Sequence, residues 1–334
     1  SVEADEWLQL LAHHPMFEVQ DADDDGQRSP GSMSPRQCLA VRGVDLFAAV
    51  GGEVRWISLK ACKDAYVRHE SRRMGLRGAA DEGGAGAQAE SGLDAVRAVP
   101  WFRLGCESLS FEITKLAVNG SGKFLAVVGS HQVAVVVLPA SGAGGRGPRG
   151  AFTAVRADDD AGAAGTWVDC RSMLLGMAPG AGPASLAEAK KHTSDYGAGV
   201  LAAANWSART RVVDVLWHAL SANDSHLVTL QASGSVKVFD VSEDVDRPEQ
   251  TLSLFSAASG AGFAMSRAAS FCMGSAASAG WARVTAYVLT TTGELYSLCP
   301  VLPRRCTVEQ AWVEALLETA ELDVREWQAE EYGT

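Results

Sequence analysis

The sequence predicts an all-β chain of the β-propeller class with one helix near its C-terminal end. Three observations carry this prediction. Strand-length apolar runs come in pairs, each pair is joined by a short turn, most often bearing Gly, and the paired unit recurs along the chain behind a further apolar run. Hairpins repeated in this way are blades, sheets that bury their faces only by stacking on one another.

The elements follow in order. Residues 5–12 form a short amphipathic stretch, with Trp7, Leu8, Leu10 and Leu11 among acids, and an acidic loop runs from Asp21 to Pro35. The first blade-like unit, 37–60, pairs Val44–Val50 with Val54–Ile57 across Gly51-Gly52. A charged and then Gly/Ala-rich insertion covers 63–95. The second unit, 101–139, pairs Phe124–Gly129 with Val133–Leu138. A Gly/Arg-rich linker at 141–150 leads to a less distinct third unit. It is made of Phe152–Val155 and Trp167–Leu175, interrupted by the Gly/Ala/Pro stretch 176–189 and resumed at Val200–Ala204. The fourth unit, 209–242, pairs His226–Leu230 with Val236–Phe239 across Ser233-Gly234. The fifth, 251–299, pairs Val284–Leu289 with Leu295–Leu298 across Thr292-Gly293 and carries a small-residue insertion at 274–280. The period then changes from two to three or four. Thr307 and Gln310 fit a capping box, and Val308, Trp312, Leu316, Ala320, Val324 and Trp327 form one apolar stripe, so a helix is expected over 307–328.

About five blades are countable. A propeller closes by matching its first and last blades. Either further blades lie in the degenerate segments, or the chain is the N-terminal part of a longer propeller. The second is favoured because no strand follows the helix. Residues 1–334 are thus read as a single propeller domain, incomplete at its C-terminal end. The segments 78–95, 141–150 and 176–189 are read as surface loops, since their Gly/Ala content supplies little apolar area against the entropy of ordering.

Composition narrows the function classes. The 334 residues are 47% hydrophobic, enough for a large core, and carry a formal net charge of −11. Such a surface repels phosphate backbones, so no direct nucleic-acid partner is expected. The only basic patch, Arg68 to Arg77, lacks a stacking aromatic and is read as a solvated loop. Seven cysteines, irregularly spaced and without a Cys-x-x-Cys, point to reduced thiols of a cytosolic or nuclear protein. No run of about 18 apolar residues occurs, so no membrane insertion is expected.

The patterns that could carry chemistry fail one by one. Asp21, Asp23, Asp25 and Gly26 match half of a calcium loop, but Ser32 stands where a bidentate Glu is needed. Gly120-Ser121-Gly122-Lys123 lacks the first Gly of a phosphate loop, where Ala117 stands, and its Ser/Thr, where Phe124 stands. Asp224-Ser225-His226 holds triad residue types, but adjacent residues cannot converge as nucleophile, base and orienter. The seven histidines show no ligand spacing with cysteines. No catalytic, cofactor or metal site is therefore expected.

One run is distinctive. Val213-Asp214-Val215-Leu216-Trp217-His218-Ala219-Leu220-Ser221, followed by Asp224-Ser225-His226-Leu227-Val228-Thr229-Leu230, resembles the N-terminal propeller of the nucleoporin 88 family (nucleoporin 82 in fungi). The family typically has Pro where Ala219 stands. Ile113–Val118 with Ser121–Val127 and Val137-Leu138-Pro139 is similar to the family's second blade, and Gly293–Pro300 to a later blade ending. The resemblance covers about 100–300. It implies a seven-bladed propeller and a scaffold nucleoporin on the cytoplasmic side of the nuclear pore complex, supporting mRNA export and nucleocytoplasmic transport. It also implies two partners: the autoproteolytic domain of nucleoporin 98 and the C-terminal tail of nucleoporin 214. The alternatives are an adaptor of another complex, such as a ubiquitin ligase or vesicle coat, and a propeller enzyme. The partner-binding candidates are the helix residues Trp312, Leu316, Val324 and Trp327, which either cover the propeller flank or wall a groove for a partner helix.

Overall fold

The computed structural model describes residues 6–18, 37–79, 91–139, 155–156, 166–177, 209–255, 266–275 and 277–332. The acidic loop 21–35, the linker 141–150 and the whole of 178–208 lie outside them. The strands are β1 (Leu39–Arg42), β2 (Asp45–Val50), β3 (Glu53–Ser58), β4 (Trp101–Gly105), β5 (Ile113–Val118), β6 (Phe124–Gly129), β7 (Val133–Val137), β8 (Val155–Arg156), β9 (Thr166–Asp169), β10 (Ser172–Leu174), β11 (Val212–Trp217), β12 (His226–Gln231), β13 (Ser235–Asp240), β14 (Gln250–Ser253), β15 (Ala268–Met273), β16 (Ala286–Thr290) and β17 (Leu295–Leu298). The helices are α1 (Glu6–Leu11), α2 (Leu59–Ala79), α3 (Gly92–Arg97) and α4 (Gln310–Tyr332).

Among the described residues four sheets are formed, in the orders β1-β2-β3-β4-β9-β8, β10-β7-β6-β5, β11-β12-β13-β14 and β15-β16-β17. The architecture is mostly β with one long C-terminal helix, as the hairpin repeat predicts. Three blade readings move. Trp101–Gly105 does not open the second unit but pairs with β3 as the first sheet's fourth strand. The weak third unit forms no sheet of its own among the described residues: β9 runs parallel to β4, and β10 joins the sheet of β5–β7. The sequence could not reveal this, because apolar alternation marks a strand but does not name its neighbour. Likewise Gln250–Ser253 pairs with β13 and so completes the fourth unit rather than opening the fifth.

The chain divides into two compact units, one holding Ser1–Val118, Gly122–Gly129 and Ala134–Met173, the other Asn119–Ser121, Ser130–Val133 and Leu174–Thr334. In the first, strands β2–β4 are buried on both faces, while Leu39 and Val41 leave the edge strand β1 exposed. Phe47, Val54, Trp56 and Leu104 enter one core with Leu116, Leu125, Val127 and Val136, while Leu46, Ala48, Ile57 and Trp101 enter another with Leu11, Met16, Cys62 and Val96. Two-sided burial explains why β2 reads as a continuous apolar run rather than an alternation. The β2–β3 turn has φ of 58° at Gly51 and 85° at Gly52, the two positive values of a hairpin turn that side chains resist.

The second core face needs helices, and these fall where a charged loop was expected. Leu59–Ala79 is α2, rich in Arg, Ala and Lys, which favour helix. Cys62 is buried, and Ala65 and Tyr66 pack on the same core. Ser91 then caps α3 in a reciprocal capping box with Asp94. In the sequence the segment reads as a loop because α2 is so polar that its 3.6-residue periodicity hardly shows.

Buried arginines tie the first sheet together. Arg42 donates from Nε and Nη2 to Asp45 Oδ2 at 3.1 and 2.8 Å, and from Nη1 to the carbonyls of Gly122 and Pro139 at 3.2 and 2.7 Å. Its guanidinium lies over Phe47 and Trp56. Arg55 and Arg103 both stack on Trp101, at 5.0 and 5.4 Å, and share Glu53. Arg55 also donates to the carbonyls of Met16 and Glu18 at 2.8 and 2.6 Å. These charges are tolerated because each guanidinium finds acceptors and an aromatic face.

In the second unit, Val228, Leu230, Val236 and Val238 of β12 and β13 pack with Ala268, Phe271, Ala286 and Val288 of β15 and β16. At the β12–β13 turn Gly234 has a φ of 78°, and a Cβ there would stand 2.6 Å from the Phe255 ring.

Candidate functional site

The candidate site is α4 and the chain that delivers it. His218, at the end of β11, is buried, and its imidazole works as a latch. Nδ1 accepts from the Leu220 N–H at 3.1 Å, and Nε2–H donates to the Val301 carbonyl at 3.1 Å. Burial pushes its pKa below the usual 6.5, against the raising effect of the Val301 bond, and His226 nearby lowers it further. The turn after His218 then holds the approach to α4: Ala222 N–H donates to the Arg305 carbonyl at 3.0 Å and Thr307 N–H to the Leu220 carbonyl at 2.9 Å. The same latch occurs in the first unit. His14 Nδ1 accepts from Met16 N–H at 3.0 Å, and Nε2–H donates to the Val99 carbonyl at 3.0 Å. Sequence inspection found the Trp217-His218 motif but not its role, because the acceptor lies 83 residues away.

The helix begins at Gln310, with Val313 N–H bonded to the Glu309 carbonyl, so the capping box expected at Thr307 does not form. The Thr307 backbone is engaged by Leu220 instead. Val308 therefore lies outside the helix. The predicted stripe splits in two. Trp312 is half-buried: its Nε1–H donates to the Gly280 carbonyl at 3.2 Å, and the Arg283 guanidinium lies 5.0 Å from its ring centre. Leu316 is buried at 9% exposure and Ala320 is half-buried. Beyond them Val324 and Trp327 stand exposed at 52% and 57%, together with Leu317 and Leu322. The four sequence candidates are thus on one helix but in two environments. Trp312 and Leu316 lie in the seated part, and Val324 and Trp327 face solvent.

The Asp224-Ser225-His226 run is a buried turn, as its local reading requires. Asp224 has a φ of 52°. Ser221 Oγ lies 2.7 Å from His226 Nδ1 and accepts the N–H groups of Ser225 and His226 at 2.9 and 3.2 Å. His226 Nε2 is 3.5 Å from Asp240 and 3.6 Å from Glu249. Ser221 was the partner missed, and the node is sealed from solvent, so it serves the blade. Gly120–Lys123 is the β5–β6 turn, with a φ of 70° at Gly122. The Asp21–Gly26 pattern lies outside the described residues. Among the described residues no group of three or more His, Cys, Asp or Glu is placed to hold a metal ion, and no helix is long and apolar enough to cross a membrane.

Sheets built from repeated antiparallel hairpins define the class: this is a β-propeller fold. Residues 9–145 match the model of the nucleoporin NUP82 β-propeller family. Over 306 residues the chain is 23% identical to nucleoporin NUP82 of Chaetomium thermophilum, an alignment covering 84% of this chain and 29% of that protein. Over 199 residues it is 26% identical to nuclear pore complex protein NUP88 of Arabidopsis thaliana, covering 58% of this chain and 19% of that one. The chain thus spans less than a third of the length of these relatives. Its fold is similar to one in the crystal structure of the Chaetomium thermophilum heterotrimeric Nup82 NTD–Nup159 tail–Nup145N APD complex. The TM-score is 0.54 at 21% identity, over 94% of this chain and 52% of that one. The chain is therefore related to the NUP82 and NUP88 nucleoporins through their β-propeller domain.

Proposed function

We propose that this chain is a scaffold module of the nuclear pore complex, on its cytoplasmic side, that docks other nucleoporins in support of mRNA export and nucleocytoplasmic transport and catalyses no reaction. The observation that supports the reading is the relation of its propeller to NUP82 and NUP88. The Nup82 NTD of Chaetomium thermophilum assembles with a Nup159 tail and the Nup145N APD. By that likeness the partners here are a helical nucleoporin tail, of the nucleoporin 214 kind, and an autoproteolytic domain of the nucleoporin 98 kind. The exposed Val324 and Trp327 of α4 offer the tail apolar anchors, while Trp312 and Leu316 hold the helix in place. Residues 1–334 act as one propeller domain, with 141–150, 176–189 and the part of 78–95 between helices α2 and α3 as surface insertions. Affinity purification from cells tests the assignment. Nucleoporins should co-purify, and recovery of ligase or coat subunits without them would refute it.

A further inference from the structure

A pocket of about 830 Å³ in the first unit is lined by Cys106, Glu107, Trp167, Cys170 and Arg171. Its construction follows from the parallel pairing of β4 with β9. Gly105 stands opposite Asp169, and the Cys170 N–H donates to the Gly105 carbonyl at 2.8 Å. The next residue on each strand is a cysteine. Two residues level on neighbouring strands are about 4.8 Å apart, inside the Cα separation that a disulfide spans. The two thiol side chains are close enough to interact. That interaction lowers the Cys170 pKa, against the raising effect of burial. It raises that of Cys106, which burial raises further. Both residues are half-buried against the core of the first sheet.

We propose that Cys106 and Cys170 form a reversible dithiol–disulfide site, oxidised by a small organic disulfide that enters this pocket, with Cys170 attacking and Cys106 resolving. The Cys170 thiolate bonds to one sulfur of the incoming disulfide, whose S–S bond breaks. The first small thiolate leaves and takes up the proton that Cys170 released. Cys106 then loses its proton, bonds to Cys170 Sγ and displaces the second small thiolate, which takes up that proton. The protein loses two electrons and two protons, and the small disulfide is reduced to two thiols. The product is a covalent staple across the parallel β4–β9 seam. In a reducing compartment, protein disulfides of this kind are transient and serve as sensors.

The test uses the whole chain with oxidised glutathione, a quench with N-ethylmaleimide, thiol titration and peptide mapping without reductant. The site predicts that two of the seven thiols are lost together, that dithiothreitol restores them, and that the cross-linked peptide joins Cys106 to Cys170. Cys106→Ser, or Cys106→Ala if the serine variant loses its fold by circular dichroism, should stop at one glutathione adduct on Cys170. Three outcomes overturn the proposal: seven thiols that all stay titratable, adducts confined to the exposed Cys272 and Cys299, or a cross-link between other cysteines. Since the mapping is done on the unaltered sequence, it decides the question even if every variant unfolds.

Discussion

The two environments on α4 make separable predictions. Leu316 is buried, and truncating a buried leucine to alanine costs about 2–5 kcal/mol. Its site is one side of a surface helix that can partly collapse, so the low end, about 2 kcal/mol, applies. Trp312→Ala removes the hydrogen bond to Gly280 and the stacking of Arg283, about 1 kcal/mol each. The two residues are one helical turn apart and share the same seat, so their effects do not simply add. The double variant should lose about 3 kcal/mol. Trp327→Ala, at an exposed position, should change stability by less than about 0.5 kcal/mol. Binding should rank them in the opposite order. An aromatic anchor at an interface is often worth about 2 kcal/mol or more, so Trp327→Ala should weaken affinity for a nucleoporin 214-type tail at least ~10-fold. Urea denaturation and tail titration on the same four variants provide the comparison. A Trp327→Ala variant that destabilises as much as Leu316→Ala, or binds the tail unchanged, would refute the assignment of these residues.

Three further outcomes follow from the buried groups. His14 and His218 are held neutral by burial, with folded pKa values below the usual 6.5. The unfolded chain therefore takes up their protons first. Stability should be full above pH 6.5 and fall as the pH drops from there toward the folded values, and His218→Gln should flatten part of that decline in urea midpoints across pH 5 to 8. Arg42→Lys keeps the charge but not the fork that reaches Asp45 and the carbonyls of Gly122 and Pro139. It should lose about 2–3 kcal/mol by the same assay, and wild-type stability in that variant would show the fork to be dispensable. The Cys62 thiol is pushed up to about 12 by burial, so iodoacetamide at pH 8 should label Cys272 and Cys299 in the native protein and spare Cys62. Labelling of all three at one rate would contradict its sealed position.

Hairpins were legible in the sequence because they are local. Val44–Ile57, Phe124–Leu138, His226–Phe239 and Val284–Leu298 each carry both strands and the turn within about fifteen residues, so period, β-propensity and turn chemistry are all present in one window. The long C-terminal helix showed through its apolar spacing for the same reason. The family resemblance rests on the run from Val213 to Leu230, which lies in the fourth unit.

What tertiary structure decided was every partnership across distance. The parallel pairing of β4 with β9 joins residues 64 apart, and no local signal distinguishes that neighbour from another apolar strand. The helix α2 was hidden because its buried face is short and its surface strongly charged, so packing on Cys62, Ala65 and Tyr66 rather than periodicity holds it in place. The sequence alone determined that α4 has an apolar stripe. Only the structure decided where burial along that stripe ends, because this depends on how far the seat at Gly280 and Arg283 extends beneath the helix. The same holds for Cys106 and Cys170, which are unremarkable in a list of scattered cysteines and adjacent only because two strands from distant parts of the chain run side by side.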